Sequence, residues 1–220
     1  MEHKRITLFT GHYGSGKTNI AVAYAKLLHS EGMKVTVADM DIVNPYFRTK
    51  DSIDEFNALG IEFVSSAYAN TNVDLPALPS ELYGVVEKRD RYAVLDIGGD
   101  DRGAYALGRF TPFIKEENDF ENIFVINMYR PLTKTAEETL EVMREIEAAG
   151  GLPVTAIVNN SNLGELTDES TVLDSLTYAK EISELSGLPL KFTAVRRDIA
   201  ERLGGLEKGY LPMDLQKKII

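Results

Sequence analysis

The sequence predicts an α/β fold, a mainly parallel sheet of about seven strands flanked by helices in three layers, and three observations carry that prediction. Short apolar runs alternate with helix-length amphipathic segments along the chain. Most of the runs hold β-branched residues without the polar alternation of a half-exposed strand, as a parallel sheet covered on both faces requires. Glycines and capping residues fall where the helices would begin and end.

Taken in order, strands are expected at Ile6–Thr10, Lys34–Asp39, Ile61–Val64, Tyr92–Ile97, Asn122–Asn127, Val154–Asn159 and Leu190–Val195. The helices between them are expected at Lys17–Ser30, Ser80–Lys88, Gly103–Lys115, Lys134–Ala149, Glu169–Ser186 and Ile199–Leu203. Gly32 and the Gly150-Gly151 pair stand where helices stop, and Ser80 and Asp168 are placed to cap. Ser65–Pro79 is polar, contains proline and shows no period, so it reads as an irregular surface crossover. No repeat, low-complexity tract or interior linker interrupts the pattern, and residues 1–220 read as a single domain.

Composition narrows the function. The 220 residues are 44% hydrophobic, enough for one sizeable core. With 34 acidic against 24 basic side chains, a net charge of −10 argues against general attraction to nucleic acid or to an anionic membrane. The absence of cysteine excludes disulfides, thiolate metal sites and cysteine nucleophiles, and three scattered histidines supply no metal site. Neither a signal-peptide pattern nor an apolar run of about 20 residues is present, so the expected location is the cytoplasm. The segment Leu211–Ile220 could form a short membrane-touching helix.

The strongest chemical signal is Gly11-His12-Tyr13-Gly14-Ser15-Gly16-Lys17-Thr18, which satisfies G-x-x-x-x-G-K-[ST] between an expected strand and an expected helix. Glycines at 11, 14 and 16 let the backbone curl until its N–H groups surround phosphate oxygens, and the helix opening at Lys17 adds its positive dipole end. Lys17 is expected at the β and γ phosphates, the Thr18 hydroxyl on Mg²⁺, and Gly11, Gly14, Ser15, Gly16 and Asn19 around the nucleotide. A plain glycine-rich turn is the competing reading.

Two further strand ends are acidic. Tyr92–Ile97 carries Asp96, expected on the metal side, and Gly99 completes D-x-x-G, whose backbone N–H can sense a γ-phosphate. Asp39-Met40-Asp41 places two carboxylates on one side of an extended segment. Asp39 would face the metal shell, and Asp41 would polarise an attacking water. A capping aspartate and a solvated turn are the plainer alternatives for these two motifs.

This succession of motifs resembles the MinD/ParA-like (CobQ/CobB/MinD/ParA) P-loop ATPases of the signal-recognition, MinD and BioD class, over nearly the whole chain. Asn159, at a strand end where that class reads the base, and Arg197, in Val195-Arg196-Arg197-Asp198, add to the likeness. A turn former opening the loop Asn159-Asn160-Ser161-Asn162 is the alternative reading of Asn159. The chain departs from the deviant Walker A pattern, since His12 stands where a signature lysine would contact the partner's phosphates. Arg102 or Arg109 could substitute for it, or be solvated surface residues.

The resemblance implies a slow MgATPase acting as a nucleotide-dependent switch or assembly factor, with a nucleotide-dependent homodimer and a protein client. Asp41–Arg48 would be the first switch, with Tyr46 and Phe47 serving either a partner or the core. A dethiobiotin-synthase-like ligase or metabolite kinase is the alternative, although Asp39-Met40-Asp41 stands where such ligases present a lysine. A GTPase would need an aspartate in a T-K-x-D or N-K-x-D reader, and after Val158 the chain offers Asn-Asn-Ser-Asn.

Overall fold

In the computed structural model, residues 2–40, 50–65, 80–99 and 101–214 are described. Eight strands form one sheet: β1 Ile6–Thr10, β2 Val35–Met40, β3 Glu62–Ser65, β4 Tyr92–Ile97, β5 Phe120–Ile126, β6 Ala156–Asn159, β7 Leu190–Arg196 and β8 Tyr210–Met213. Their order is β3-β2-β4-β1-β5-β6-β7-β8, and every neighbouring pair is parallel. Among the described residues seven α-helices accompany them: α1 Lys17–Ser30, α2 Lys50–Leu59, α3 Ser80–Glu87, α4 Asp101–Glu117, α5 Ala136–Gly150, α6 Glu169–Ser186 and α7 Arg197–Arg202.

The alternation of a β-strand divides the core into two faces. Phe9, Val35, Val37, Val94, Ile123, Val125 and Val158 pack beneath α1 and Phe56 of α2. Their strand neighbours turn the other way. Ile6, Leu8, Ala38, Leu95 and Ile97 meet α3 and α4, while Phe124, Ile126 and Ile157 meet α5 and α6. This is the expected three-layer arrangement, and it fixes which strand-end residues face α1.

The helix boundaries have local causes. Thr135 caps α5 in a reciprocal box with Glu138, and Gly151 ends it at φ +67°. Asp168 caps α6 by accepting from the Thr171 backbone N–H at 2.8 Å, and Gly187 ends it at φ +72°. That bond, with those from the Thr171 and Ser170 hydroxyls, holds the pKa of Asp168 at about 2, well below the usual carboxylate range.

Two elements depart from the sequence expectations. Lys50–Leu59 is a helix not anticipated, with Phe56 buried and stacked on Phe63 at a centroid distance of 6.1 Å. Tyr210–Met213 is the eighth strand, and Leu211 and Met213 lie in the core under α1. The membrane-touching helix drawn from Leu211 is therefore corrected over its first residues, because those side chains are already buried against the sheet. Residues 215–220 lie outside the described part. Pro212 is tolerated at the sheet edge, where a strand needs partners on one side only. Among the described residues no helix is long and apolar enough to cross a membrane.

Candidate functional site

The phosphate loop leaves β1 at Gly11 and enters α1 at Lys17, between β4 and β5 in the sheet. Gly11, Gly14 and Gly16 have φ of +146°, +74° and +90°, conformations that side-chain-bearing residues rarely adopt. A β-carbon at Gly11 would also lie 2.6 Å from the Val125 carbonyl oxygen, and one at Gly16 would overlap the Asn160 amide nitrogen. Both the dihedrals and the crowding exclude a larger residue at these two positions. The Lys17 ammonium donates to the Gly11 and His12 carbonyl oxygens at 3.1 and 3.3 Å, folded over the loop it would serve.

Strand alternation brings the acidic residues to this loop. Asp39 follows Val37 and Asp96 follows Val94 at two-residue spacing on the α1 face, and the two aspartates are register partners on adjacent strands. Asp39 and Asp96 are 3% and 1% exposed, and the Thr18 hydroxyl donates to Asp96 Oδ2 at 2.6 Å. A hydroxyl and two carboxylates are hard oxygen donors of the type Mg²⁺ takes together with waters and phosphate oxygens. Among the described residues no group of three or more His, Cys, Asp or Glu forms a ready-made metal cage, so phosphate oxygens and water would have to complete the shell.

Gly99 closes the other side. A β-carbon there would stand 2.6 Å from Lys17 Nζ and 2.8 Å from the Tyr13 backbone nitrogen. The D-x-x-G segment thus lies directly against the phosphate loop. His12 is half-buried, and its imidazole pKa is lowered, first by burial and then by the charge of Lys17.

The structure separates the remaining candidates. Asn159 is fully buried, its amide donating to Ser175 Oγ at 2.8 Å and accepting from the Ser161 backbone N–H at 3.1 Å. That is the turn-forming role, on the α6 face. Asn160 follows Val158 onto the α1 face and donates to the Ser15 carbonyl oxygen at 2.7 Å, while its Oδ1 is buried without a hydrogen-bond partner. Nothing in the sequence distinguished the two asparagines except strand parity. Asn19 and Arg197 share one cleft with Lys26, Pro212 and Asp214. Arg197 is held there by a two-point ion pair with Asp214, at 2.8 and 2.7 Å. Asp41, Tyr46 and Phe47 lie outside the described residues, as does the side chain of Arg102; Arg109 is exposed on α4.

No protein-family model matches the chain, and no curated protein sequence matches it. Solved structures do. The cell division protein FtsY of Thermotoga maritima is 19% identical, with a TM-score of 0.58 over 86% of this chain and 61% of that one. The signal recognition particle 54 kDa protein of Aeropyrum pernix K1, in complex with GDP, is 18% identical, with a TM-score of 0.56 over 87% and 41%. FlhF complexed with GTP and Mg²⁺ is 13% identical, with a TM-score of 0.53 over 87% and 66%. The chain has the P-loop NTPase fold. At these identities the likeness is one of fold, and the chain spans about three fifths of the length of the FtsY structure.

Proposed function

We propose that this chain is a magnesium-dependent nucleoside triphosphatase that binds ATP and works as a nucleotide-dependent switch. The observation that carries the reading is the Thr18–Asp96 hydrogen bond, which ties the first turn of α1 to the end of β4 beside Lys17 and Gly99. On binding, Lys17 would exchange the Gly11 and His12 carbonyls for β- and γ-phosphate oxygens. Backbone N–H groups of the loop would hold the remaining oxygens, and Gly99, already against Lys17, would follow the presence of the γ-phosphate. Thr18 and Asp96 would hold Mg²⁺, with Asp39 oriented toward its shell; the ion would neutralise charge on the transferred phosphoryl group. Asp41, two residues beyond Asp39, is the proposed water-positioning residue. His12 stands where the resemblance would put a partner-contacting lysine, so the proposed machinery comes from one chain.

Adenine is favoured because no guanine-reading aspartate follows Val158. Asn160 is the proposed base contact: its Nδ2 is committed to the Ser15 carbonyl, which leaves Oδ1 as an acceptor for an amine of the base. GTP is the second reading, supported by fold neighbours whose structures hold GDP or GTP with Mg²⁺. Asn162, in the stretch where a guanine-reading aspartate would be sought, instead ties its amide to the Asn160 carbonyl and the Gly164 N–H.

Calorimetric titration of the wild type with MgATP and MgGTP, repeated on Asn160→Ala, tests the reading. Tighter binding of ATP than of GTP, weakened in the variant, is expected. Tighter GTP binding would overturn the adenine assignment, and binding of neither would overturn the function.

A further inference from the structure

The loop between β5 and α5 reaches back over the phosphate loop. Measured from the place a β-carbon would take at Gly14, the Nε, Cζ and Cδ atoms of Arg130 lie at 3.8, 3.9 and 4.0 Å. Three nearly equal distances set the inner part of the guanidinium broadside to the glycine. Outside the loop's own neighbouring residues, the three nearest heavy atoms to that point all belong to Arg130. A β-carbon at position 14 would rest in ordinary van der Waals contact with it.

Arg130 is held there by its backbone. Its N–H donates to the Asn127 carbonyl at 3.2 Å, and its own carbonyl accepts from the Thr133 N–H at 3.4 Å. Asn127 Oδ1 accepts from the Tyr129 N–H at 3.0 Å, and Ser161 Oγ accepts from the Met128 N–H at 3.0 Å. Tyr178 donates its hydroxyl proton to the Thr133 carbonyl at 2.8 Å, closing the far end of the turn onto α6. The arginine therefore stands on a braced loop, which lowers the entropy lost when its head group is fixed by a ligand.

Charge makes the placement informative. The chain carries ten more acidic than basic groups, and Arg91, Arg196, Arg197 and Arg202 each hold a carboxylate. Arg130 is exposed, and no carboxylate among the described residues pairs with it. Beside it lies the loop whose N–H groups suit phosphate.

We infer that Arg130 is a phosphate-binding residue, a second cation supplied by the same chain. Its guanidinium donates to nucleotide phosphate oxygens from the Gly14 side, while Lys17 serves from the Gly99 side. This rests on the proposed nucleotide site. It gives the phosphates an arginine in cis, in the β5–α5 loop and not on α4, the helix that carries Arg102 and Arg109. The planar fork suits two oxygens at once, which an ammonium cannot match.

The test is titration of the wild type, Arg130→Gln and Arg130→Lys with MgADP and with a non-hydrolysable MgATP analogue, at two salt concentrations, with the unfolding midpoint of each ligand-free protein. Arg130→Gln should bind the triphosphate analogue about tenfold to a hundredfold more weakly, with a shallower salt dependence and an unchanged midpoint. Arg130→Lys should recover part of the loss. Wild-type affinity in Arg130→Gln would overturn the proposal and leave the nucleotide site standing. Weaker binding accompanied by a lowered midpoint in both variants would overturn it in favour of a loop-bracing role. A wild type that binds neither ligand would remove the site and the proposal together.

Discussion

At the N-terminal ends of the strands, Glu121 of β5 accepts from Thr7 and Tyr24 at 3.0 Å each and pairs with Lys191, while His3 bridges Tyr24 and Glu31 at 2.8 and 3.0 Å. Beside this network Arg5 pairs with Glu117 and donates to the Val86 carbonyl at 2.7 Å. At the C-terminal ends of the same sheet, Ser15 Oγ, Asn127 Nδ2 and Asn160 Oδ1 are buried with no hydrogen-bond partner among the described residues. A buried polar atom without a partner costs about 1–3 kcal/mol, so these three atoms are ones that a ligand or water would satisfy. The difference separates a part of the molecule that holds itself together from one arranged to receive a ligand. It also shows in the backbone, since three glycines of the phosphate loop have positive φ.

The contrast can be broken by substitutions at either end. Glu121→Ala should have the largest effect, since it removes the carboxylate shared by the half-buried Lys191 and by the buried Tyr24 and Thr7 hydroxyls. A loss of about 3–5 kcal/mol in denaturant unfolding is expected, with nucleotide affinity unchanged in whatever fraction stays folded. Lys17→Ala should do the reverse: turnover falls by about 10²–10³-fold while the unfolding midpoint hardly moves. Gly99→Ala puts a methyl group 2.6 Å from the Lys17 ammonium. Displacing that group should lower turnover by about tenfold to a hundredfold, read as kcat falling more than affinity.

The smallest effect concerns pH. The folded protein holds the His12 imidazole pKa below its ordinary value. As pH drops below that ordinary value, the unfolded chain takes up the proton first, and stability falls until the folded pKa is passed. His12→Gln should flatten the stability profile in the weakly acidic range, as urea unfolding at a series of pH values would show. Phosphate charge beside His12 would favour its protonated form, so nucleotide binding should tighten on acidification in the wild type and lose that dependence in the variant.

Much of this was legible in the chain because the sheet is parallel and covered on both faces. β1, β4, α1 and α6 match the boundaries read from apolar runs and caps, since each is bounded by residues whose chemistry stops it, such as Gly16, Asp168 and Gly187. β8 was not, because four residues containing Pro212 look like no strand until β7 offers an edge to pair with. α2 was hidden for a related reason: its buried anchor, Phe56, finds its partner Phe63 only in the folded sheet. At the candidate site, motif spacing pointed to Lys17, Thr18, Asp96 and Gly99, which the fold brings together. Strand parity alone set Asn159 against α6 and Asn160 against the phosphate loop. Arg130 had no sequence signal, since its neighbour Gly14 lies more than a hundred residues away and only the β1–β5 pairing brings their loops together.

The most direct test of the claim that the C-terminal end of the sheet is a nucleotide site is MgATP titration of three proteins side by side: wild type, Lys17→Ala and Glu121→Ala. Saturable binding to the wild type, lost in Lys17→Ala and retained by folded Glu121→Ala, is the predicted result. Equal binding by wild type and Lys17→Ala, or no binding by the wild type, would contradict it.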